Sequence, residues 1–270
     1  MSRAWLIALL GAGCAGAEAM TLPSQPAPIA AAASEVGLGL TPGETMAFEV
    51  HLGGMLAGEA QLAVGQPGTF EGHHALVVTS RAQTAGAAKL LRNIVDQATT
   101  TIDMDTGRPL QLDTLVVMGD KTTTAQAKFT GSIANVTYAR DDEPKPHSYR
   151  VDFGKVTVHD SHSAMAQMRG WNAAPGATHT VYVVGGRRLW RVDVHMVGTN
   201  MITSELGNRR AVHFTGAAYK AKPNLALENE KPARTFEVWL SDDADRVPLK
   251  MTASTELGEV EMELTEYNRI

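Results

Sequence analysis

Hydrophobic and polar residues alternate with a period of two over most of this chain. In the first clear stretch, Met46, Phe48 and Val50 alternate with polar or small neighbours, and a second run covers residues 60–64 after Gly53–Gly54. Such alternation is typical of strands with one buried face, and two glycines between two runs are typical of a hairpin turn. The pattern recurs at 74–83, 97–104, 110–118, 122–130, 133–139, 149–153, 178–184, 188–197, 210–220, 234–240, 247–254 and 259–267.

Helical spacing is confined to two short segments, residues 84–95 and 161–171. The apolar positions on their predicted faces are Ala87, Leu90, Leu91 and Ile94 in the first segment, and Met165, Met168 and Trp171 in the second. A long antiparallel sheet must curl because strand twist accumulates, and two helices can then cover its concave side. We therefore predict an all-β fold with two short helices, built on a large, strongly curved antiparallel sheet that forms a half-barrel.

Residues 1–17 have the composition of a secretory signal peptide. Arg3 supplies a positive charge, residues 4–10 form an apolar run too short to span a bilayer, and small residues follow. Two processing sites fit: Ala15–Gly16–Ala17 matches the A-x-A cleavage rule, whereas Cys14 after the sequence LGAG resembles a bacterial lipobox. We predict a periplasmic protein, with an outer-membrane lipoprotein anchored through Cys14 as the alternative.

The organisation after the signal peptide follows from composition. Residues 18–41 combine closely spaced prolines with alanine and serine and lack both strand alternation and a helical stripe, which predicts a flexible tether. The strand patterns begin after this segment and continue to the end of the chain. We therefore predict one curved β-sheet domain over residues 42–270.

Charge and composition exclude several classes of protein. The chain has 24 Lys and Arg against 29 Asp and Glu, and this acidic balance argues against a nucleic-acid partner. A hydrophobic content of 44% with a net charge of only −5 argues against a disordered chain. One cysteine cannot form a disulfide within the chain. We expect membrane contact only through lipidation of Cys14.

Two clusters have residue types that bind metals. His159 and His162 would share a face on a helix and could ligate zinc, but the third ligand of a catalytic site is lacking, and Asp160 or Ser161 is also a typical helix N-cap. Residues 241–245 cluster three aspartates that could bind calcium, but they lie between two predicted strands, which favours a solvated turn. We predict no metal site, and a metal enzyme or hydrolase using the two histidines is a minor hypothesis.

No motif in the sequence indicates catalysis. The G-x-S-x-G and P-loop patterns are absent, and a mature chain without cysteine has no thiol chemistry. Arg187, Arg188 and Arg191, next to Gly185–Gly186, could hold an anionic headgroup or a sugar acid, although arginines at a turn more often serve solubility. We therefore predict a protein that is not an enzyme and uses no cofactor.

Stretches near both ends of the predicted domain resemble a family of exported bacterial proteins, the domain of unknown function 3108. They are residues 42–50 (PGETMAFEV), 53–60 (GGMLAGEA), 236–243 (FEVWLSDD), 246–251 (RVPLKM) and 258–260 (GEV), and residues 91–96 (LRNIVD) are similar to the family's short helix leading into a strand. The family has no established activity. The resemblance implies a fold similar to the half-barrels of periplasmic lipoprotein carriers, which shelter acyl chains on a concave apolar face.

These observations lead to two hypotheses of different kinds. The first is a non-enzymatic envelope protein that binds a lipid, lipoprotein or other amphiphile in its half-barrel, because a sheet covered by two short helices would leave apolar surface free. The predicted ligand-binding residues are Leu90, Leu91, Ile94, Met165, Met168, Trp171, Trp190 and Trp239. The alternative is an envelope scaffold or assembly factor with a filled core, which acts through contacts with an envelope protein partner.

Overall fold

The computed structural model describes residues 38–255 and 258–269. The predicted signal peptide and nearly all of the predicted tether therefore lie outside the described residues. The elements are β1 (Thr45–Leu52), β2 (Met55–Val64), β3 (Gly68–Phe70), β4 (His73–Thr84), α1 (Gly86–Leu91), β5 (Ile94–Asp103), β6 (Pro109–Met118), β7 (Lys121–Thr130), β8 (Ile133–Arg140), β9 (His147–Asp152), β10 (Val158–His159), α2 (Ser161–Gly170), β11 (Thr178–Gly185), β12 (Arg188–Ser204), β13 (Gly207–Ala221), β14 (Arg234–Ser241), β15 (Pro248–Thr255) and β16 (Gly258–Asn268). In this part of the chain, neither helix has the length and apolar character needed to cross a membrane.

All the strands belong to one sheet, which confirms the predicted fold class. The strand order is β10-β11-β12-β13-β14-β15-β16-β1-β2-β4-β5-β6-β7-β8-β9, and β3 pairs with β4 beside this path. The β16–β1 pairing joins the two halves of the chain into a continuous sheet. The sheet stays open, because β9 and β10 form its two ends and do not pair with each other.

One strand pair departs from the predicted antiparallel pattern. β10 runs parallel to β11, with Val158 opposite Tyr182 and His159 opposite Val183. Two residues are too few to produce a detectable alternation, and the same holds for the three residues of β3. The sequence pattern therefore missed both short strands.

The sheet curves so far that one end packs against the other. One buried cluster contains Phe129 of β7, Val136 of β8 and Val151 of β9 together with Val184 of β11 and Leu189 of β12. These side chains come from opposite ends of the strand order, so they can meet only if the sheet folds back on itself. The curvature gives the molecule a concave face shared by both halves.

Only one of the two helices covers the concave face, contrary to the prediction that both do. α2 connects two parallel strands, which requires a crossover connection over the face of the sheet. α1 lies between β4 and β5, which are antiparallel neighbours, so their connection stays at the end of the sheet. The backbone amide of Ala85, which precedes α1, donates to the carbonyl of Ala57 at 3.0 Å, and Leu90 is 89% exposed.

Candidate functional site

The N-terminus of α2 is defined by a capping box. The Asp160 carboxylate accepts hydrogen bonds from the backbone amides of Ser163 (3.0 Å) and His162 (3.2 Å), and the Ser163 hydroxyl oxygen accepts from the amide of Asp160 (3.0 Å). This arrangement satisfies amides that have no partner within the helix. The interpretation of Asp160 as a helix N-cap is therefore confirmed.

His162 joins this cap to the facing strands β4 and β5. Its Nε2 lies 2.7 Å from the Ser80 hydroxyl, and its Nδ1 lies 2.7 Å from the Thr100 hydroxyl, which itself donates to Asp160. A neutral ring with the proton on Nδ1 satisfies the whole chain of bonds, because it donates to Thr100 and accepts from Ser80. Burial lowers the pKa of His162, although the Asp160 carboxylate opposes the effect, and this keeps the ring neutral.

His159 does not converge on a common ligand with His162. Its Nδ1 lies 3.2 Å from the Ser163 hydroxyl, and only 2% of its surface is exposed. Burial lowers the pKa of His159 to about 4, against a smaller opposing effect of Asp160. Within residues 38–255 and 258–269, no group of three metal-binding side chains occurs. Both histidines therefore contact the helix cap. Among the described residues, no third side chain stands beside them that could complete a zinc site.

The C-terminal end of α2 is fixed by a buried ion pair. The Arg169 guanidinium meets the Glu44 carboxylate through two hydrogen bonds, one of them from Nη2 to Oε2 at 2.9 Å. Arg169 also donates to the carbonyls of Asp245 (2.8 Å) and Arg246 (3.1 Å). The Tyr267 hydroxyl donates to the same carboxylate at 3.3 Å. Because Glu44 precedes β1, this pair ties the helix to the segment that begins the domain.

The remaining surface of α2 packs into the core. Met165, Met168 and Trp171 are half-buried against the cluster that contains Trp190 and Phe214, both of which are completely buried. The Trp171 ring stacks on Phe214 with 5.7 Å between centroids. The chain at Gly39, which precedes β1, approaches the other side of the helix. It lies so close that a side chain would not fit there, because a Cβ on Gly39 would be 2.3 Å from the carbonyl oxygen of Ala166. The helix is therefore enclosed between the sheet and residues 38–41.

The eight predicted ligand-binding residues do not line one cavity in the described structure. Met165, Met168, Trp171 and Trp190 share the cluster beside α2. Leu90 faces solvent, and the side chain of Leu91 lies outside the described part of the structure. Ile94 is buried at the start of β5, and Trp239 stacks on His213 at 4.6 Å and packs against a different buried cluster. Ligand binding by these residues stays a prediction.

A groove of about 490 Å³ lies on the face of the sheet that points away from α2. On β4, Ser80 faces α2, so Thr79 and Arg81 point to the other side, and both line the groove. Its other lining residues are Thr45, Met46, Ala47, Gln61, Leu62, Ala63, Ser80, Gln97, Ala98, Thr99, Glu266 and Asn268. This groove could not be predicted from the sequence, because polar residues on outward strand positions are typical of any solvated sheet face.

The acidic segment 241–245 forms the turn between β14 and β15. The Asp243 carboxylate accepts from the Ser241 hydroxyl (2.7 Å) and from the amides of Asp245 (3.0 Å) and Arg246 (3.2 Å). Asp242 pairs with Arg210, and Asp245 pairs with Arg269. All three carboxylates are thus engaged in turn contacts or ion pairs, which agrees with the interpretation as a turn.

Similarity to known proteins identifies the family of this chain, and a solved structure has a similar fold. The sequence profile described as protein of unknown function DUF3108 matches residues 47–265. No curated protein matches. A beta-barrel-like protein of domain of unknown function DUF1849 from Brucella abortus shares the fold, with a TM-score of 0.53, 11% identity, and coverage of 84% of this chain and 97% of that one.

A second solved structure is more distant. It is a protein with a YmcC-like fold from Bacteroides fragilis, with a TM-score of 0.37, 8% identity, and coverage of 85% of this chain and 97% of that one. The family assignment rests on the sequence profile alone, which spans most of the chain and includes all the strands from β2 to β15. The chain belongs to the family of proteins of unknown function called DUF3108.

Proposed function

We propose that this protein is a non-enzymatic protein of the cell envelope that acts through its outer surface, as a scaffold or assembly factor. The observation that carries the proposal is the occupied concave face. α2 lies where an acyl chain would have to bind, and its side chains pack on Trp190 and Phe214. The signal-peptide-like composition of residues 1–17 supports an envelope location in the periplasm.

The polar residues around α2 support a structural role for this region. Glu44, Asp160, His162 and Arg169 are each at most 4% exposed. Their side chains bond to one another, to neighbouring backbone or, for His162, to the hydroxyls of Ser80 and Thr100. A catalytic group must reach a substrate, whereas these groups reach only the helix and its surroundings. We infer that they hold α2 in place and carry out no reaction.

Native mass spectrometry of the protein purified from envelopes tests the proposal. A filled concave face predicts the mass of the polypeptide without lipid, and no saturable uptake of a fluorescent fatty acid by delipidated protein. Stoichiometric retention of a lipid would contradict it. A photo-crosslinker at the exposed positions Met55, Leu90 or Met201 should then capture a protein in at least one case, because a scaffold must contact a partner.

An amphiphile carrier is a second candidate, favoured by the way α2 is attached. The helix is fixed at its ends by polar contacts, while Met165, Met168 and Trp171 on its apolar side are only half-buried. Water can replace polar contacts, so the helix could leave the concave face and expose apolar surface to an acyl chain. If so, a Glu44→Gln variant should take up more fatty acid than the wild type. The filled-core proposal predicts that neither the wild type nor Glu44→Gln takes up fatty acid.

A further inference from the structure

The hairpin of β12 and β13 extends beyond both of the strands beside it. On one side, β11 and the two residues before it bond to β12 only as far as Met196. On the other side, β14 pairs with β13 only from Ala211 onward. In the part of the chain that the structure describes, residues 197–204 of β12 therefore pair with β13 alone. We call residues 197–210 the arm.

The arm is fixed against the body of the protein. Ile202 and Leu206 pack against the buried cluster that contains Phe48. The guanidinium of Arg210 pairs with the carboxylate of Asp242 at 2.7 Å, and the amide of Asp242 donates to the carbonyl of Arg210 at 3.0 Å. The edge of the arm is thus held in an extended conformation before anything binds to it, which lowers the entropic cost of binding.

The outer edge of β12 in the arm has backbone groups without a protein partner. Strands at an edge present a row of unpaired N–H and C=O groups. Among the described residues, the backbone between Val197 and Ser204 forms hydrogen bonds only with β13. A row of alternating donors and acceptors matches the backbone of another extended polypeptide, whereas a lipid or an ion cannot satisfy it. The edge therefore points to a protein occupant.

This edge lacks the features that protect free strands from pairing. Proteins protect them with charged residues, prolines, short lengths or bulges. The end strand β9 carries Arg150 and Asp152, and β10 at the other end has only two residues. Residues 197–204 (VGTNMITS) contain neither charge nor proline. The one bulge lies at the base of the arm, between Met196 and Gly198, and the pairing beyond it is regular.

We propose that a second copy of this chain covers the edge, with the two β12 strands antiparallel about a two-fold axis at Met201. This register places Thr199 opposite Thr203, which is a favourable pair, and joins two Met201 side chains that are each 64% exposed in a single copy. No like charges meet at the edge, because Arg209 and Arg210 lie on β13. The dimer goes beyond the proposed function and does not involve α2, so neither proposal depends on the other.

Sedimentation velocity of the purified protein, from low micromolar to submillimolar concentrations, tests this interface. We expect the wild type to shift from one chain mass to two. Met201→Lys should weaken the dimer by about tenfold or more, because it places like charges opposite each other. Met55→Lys, at a position that is 74% exposed outside the arm, is the matched control and should dimerise like the wild type. A wild type that stays monomeric, or equal weakening in both variants, would overturn the proposal.

Mixing two variants tests the register and guards against misfolding. Met201→Lys and Met201→Glu should form a mixed dimer at a concentration at which each alone is monomeric, since opposite charges then meet at the axis. Misfolded chains cannot produce this recovery. If the mixture stays monomeric while the wild type dimerises, the proposed pairing is wrong. A photo-crosslinker at Met201 should join two copies of the chain, and capture of a different protein by a monomeric wild type would overturn the second copy as occupant.

Discussion

Replacing Arg169 with methionine should lower the free energy of unfolding by about 3–5 kcal/mol, which is the cost of leaving a buried charge without its partner. Glu44 is completely buried, and its strongest contact is the guanidinium of Arg169. Methionine retains an apolar stem of similar length, so the loss reports the ion pair and the two carbonyl contacts of Arg169. Urea denaturation followed by circular dichroism measures the change.

Arg191→Met is the matched control for this prediction. Its partner Asp193 has a side chain that is 33% exposed, and exposed pairs contribute at most about 1 kcal/mol. The double variant with Glu44→Gln should recover part of the loss caused by Arg169→Met, because it removes the uncompensated charge. If Arg169→Met costs no more than Arg191→Met, the buried pair does not hold α2 in place.

Lowering the pH from 7 to 5 should reduce the free energy of unfolding by about 2 kcal/mol through His159 alone. Burial lowers the pKa of this histidine to about 4 in the folded protein, against 6.5 in the unfolded chain. Between these values the unfolded chain binds more protons, so stability is complete above about pH 6.5 and falls as the pH decreases toward 4. Burial also lowers the pKa of His162, which changes stability in the same direction.

Denaturation midpoints at a series of pH values measure this effect. His159→Asn should flatten the dependence between pH 7 and 5, because it removes the buried imidazole. The lowered pKa values of Asp103 and Asp152 affect stability only below this window. A slope that persists in His159→Asn and disappears in a His162→Asn variant would assign the effect to His162 instead.

The sequence pattern was sufficient to predict the position of α2 and every described strand except the short β3 and β10. Alternation reports which side of a strand is buried, and this holds for β1, where Met46, Phe48 and Val50 are all buried. Asp160 predicted a helix start because a short acidic side chain before an apolar stripe satisfies free amides. Both signals are local, so a single sequence contains them.

The contacts that fix α2 could not be predicted, because they depend on distant residues. Glu44 and Arg169 are 125 positions apart, and Ser80 and His162 are 82 apart. Nothing in the local sequence indicates that either pair will meet. The same limitation explains the candidate site: Met165, Met168 and Trp171 have the spacing of an apolar face whether that face binds a ligand or packs into a core.

The location of α1 shows a related limitation. Its apolar spacing predicted a helix over the concave face, but the face that a helix covers depends on how the flanking strands pair. β4 and β5 are adjacent and antiparallel, which keeps α1 at the end of the sheet. β10 and β11 are parallel, which carries α2 across the face. The relative direction of the two strands that flank each helix thus decided its role.

Amide hydrogen exchange measured across α2 tests most directly whether the concave face is permanently filled. If α2 is part of the core, the amides of Ala164–Gly170 should be protected as strongly as those in the centres of β5 and β13, since all would open only with global unfolding. Exchange in α2 that is orders of magnitude faster than in these strands would contradict the account, because it would reveal a helix that leaves the concave face while the sheet stays folded.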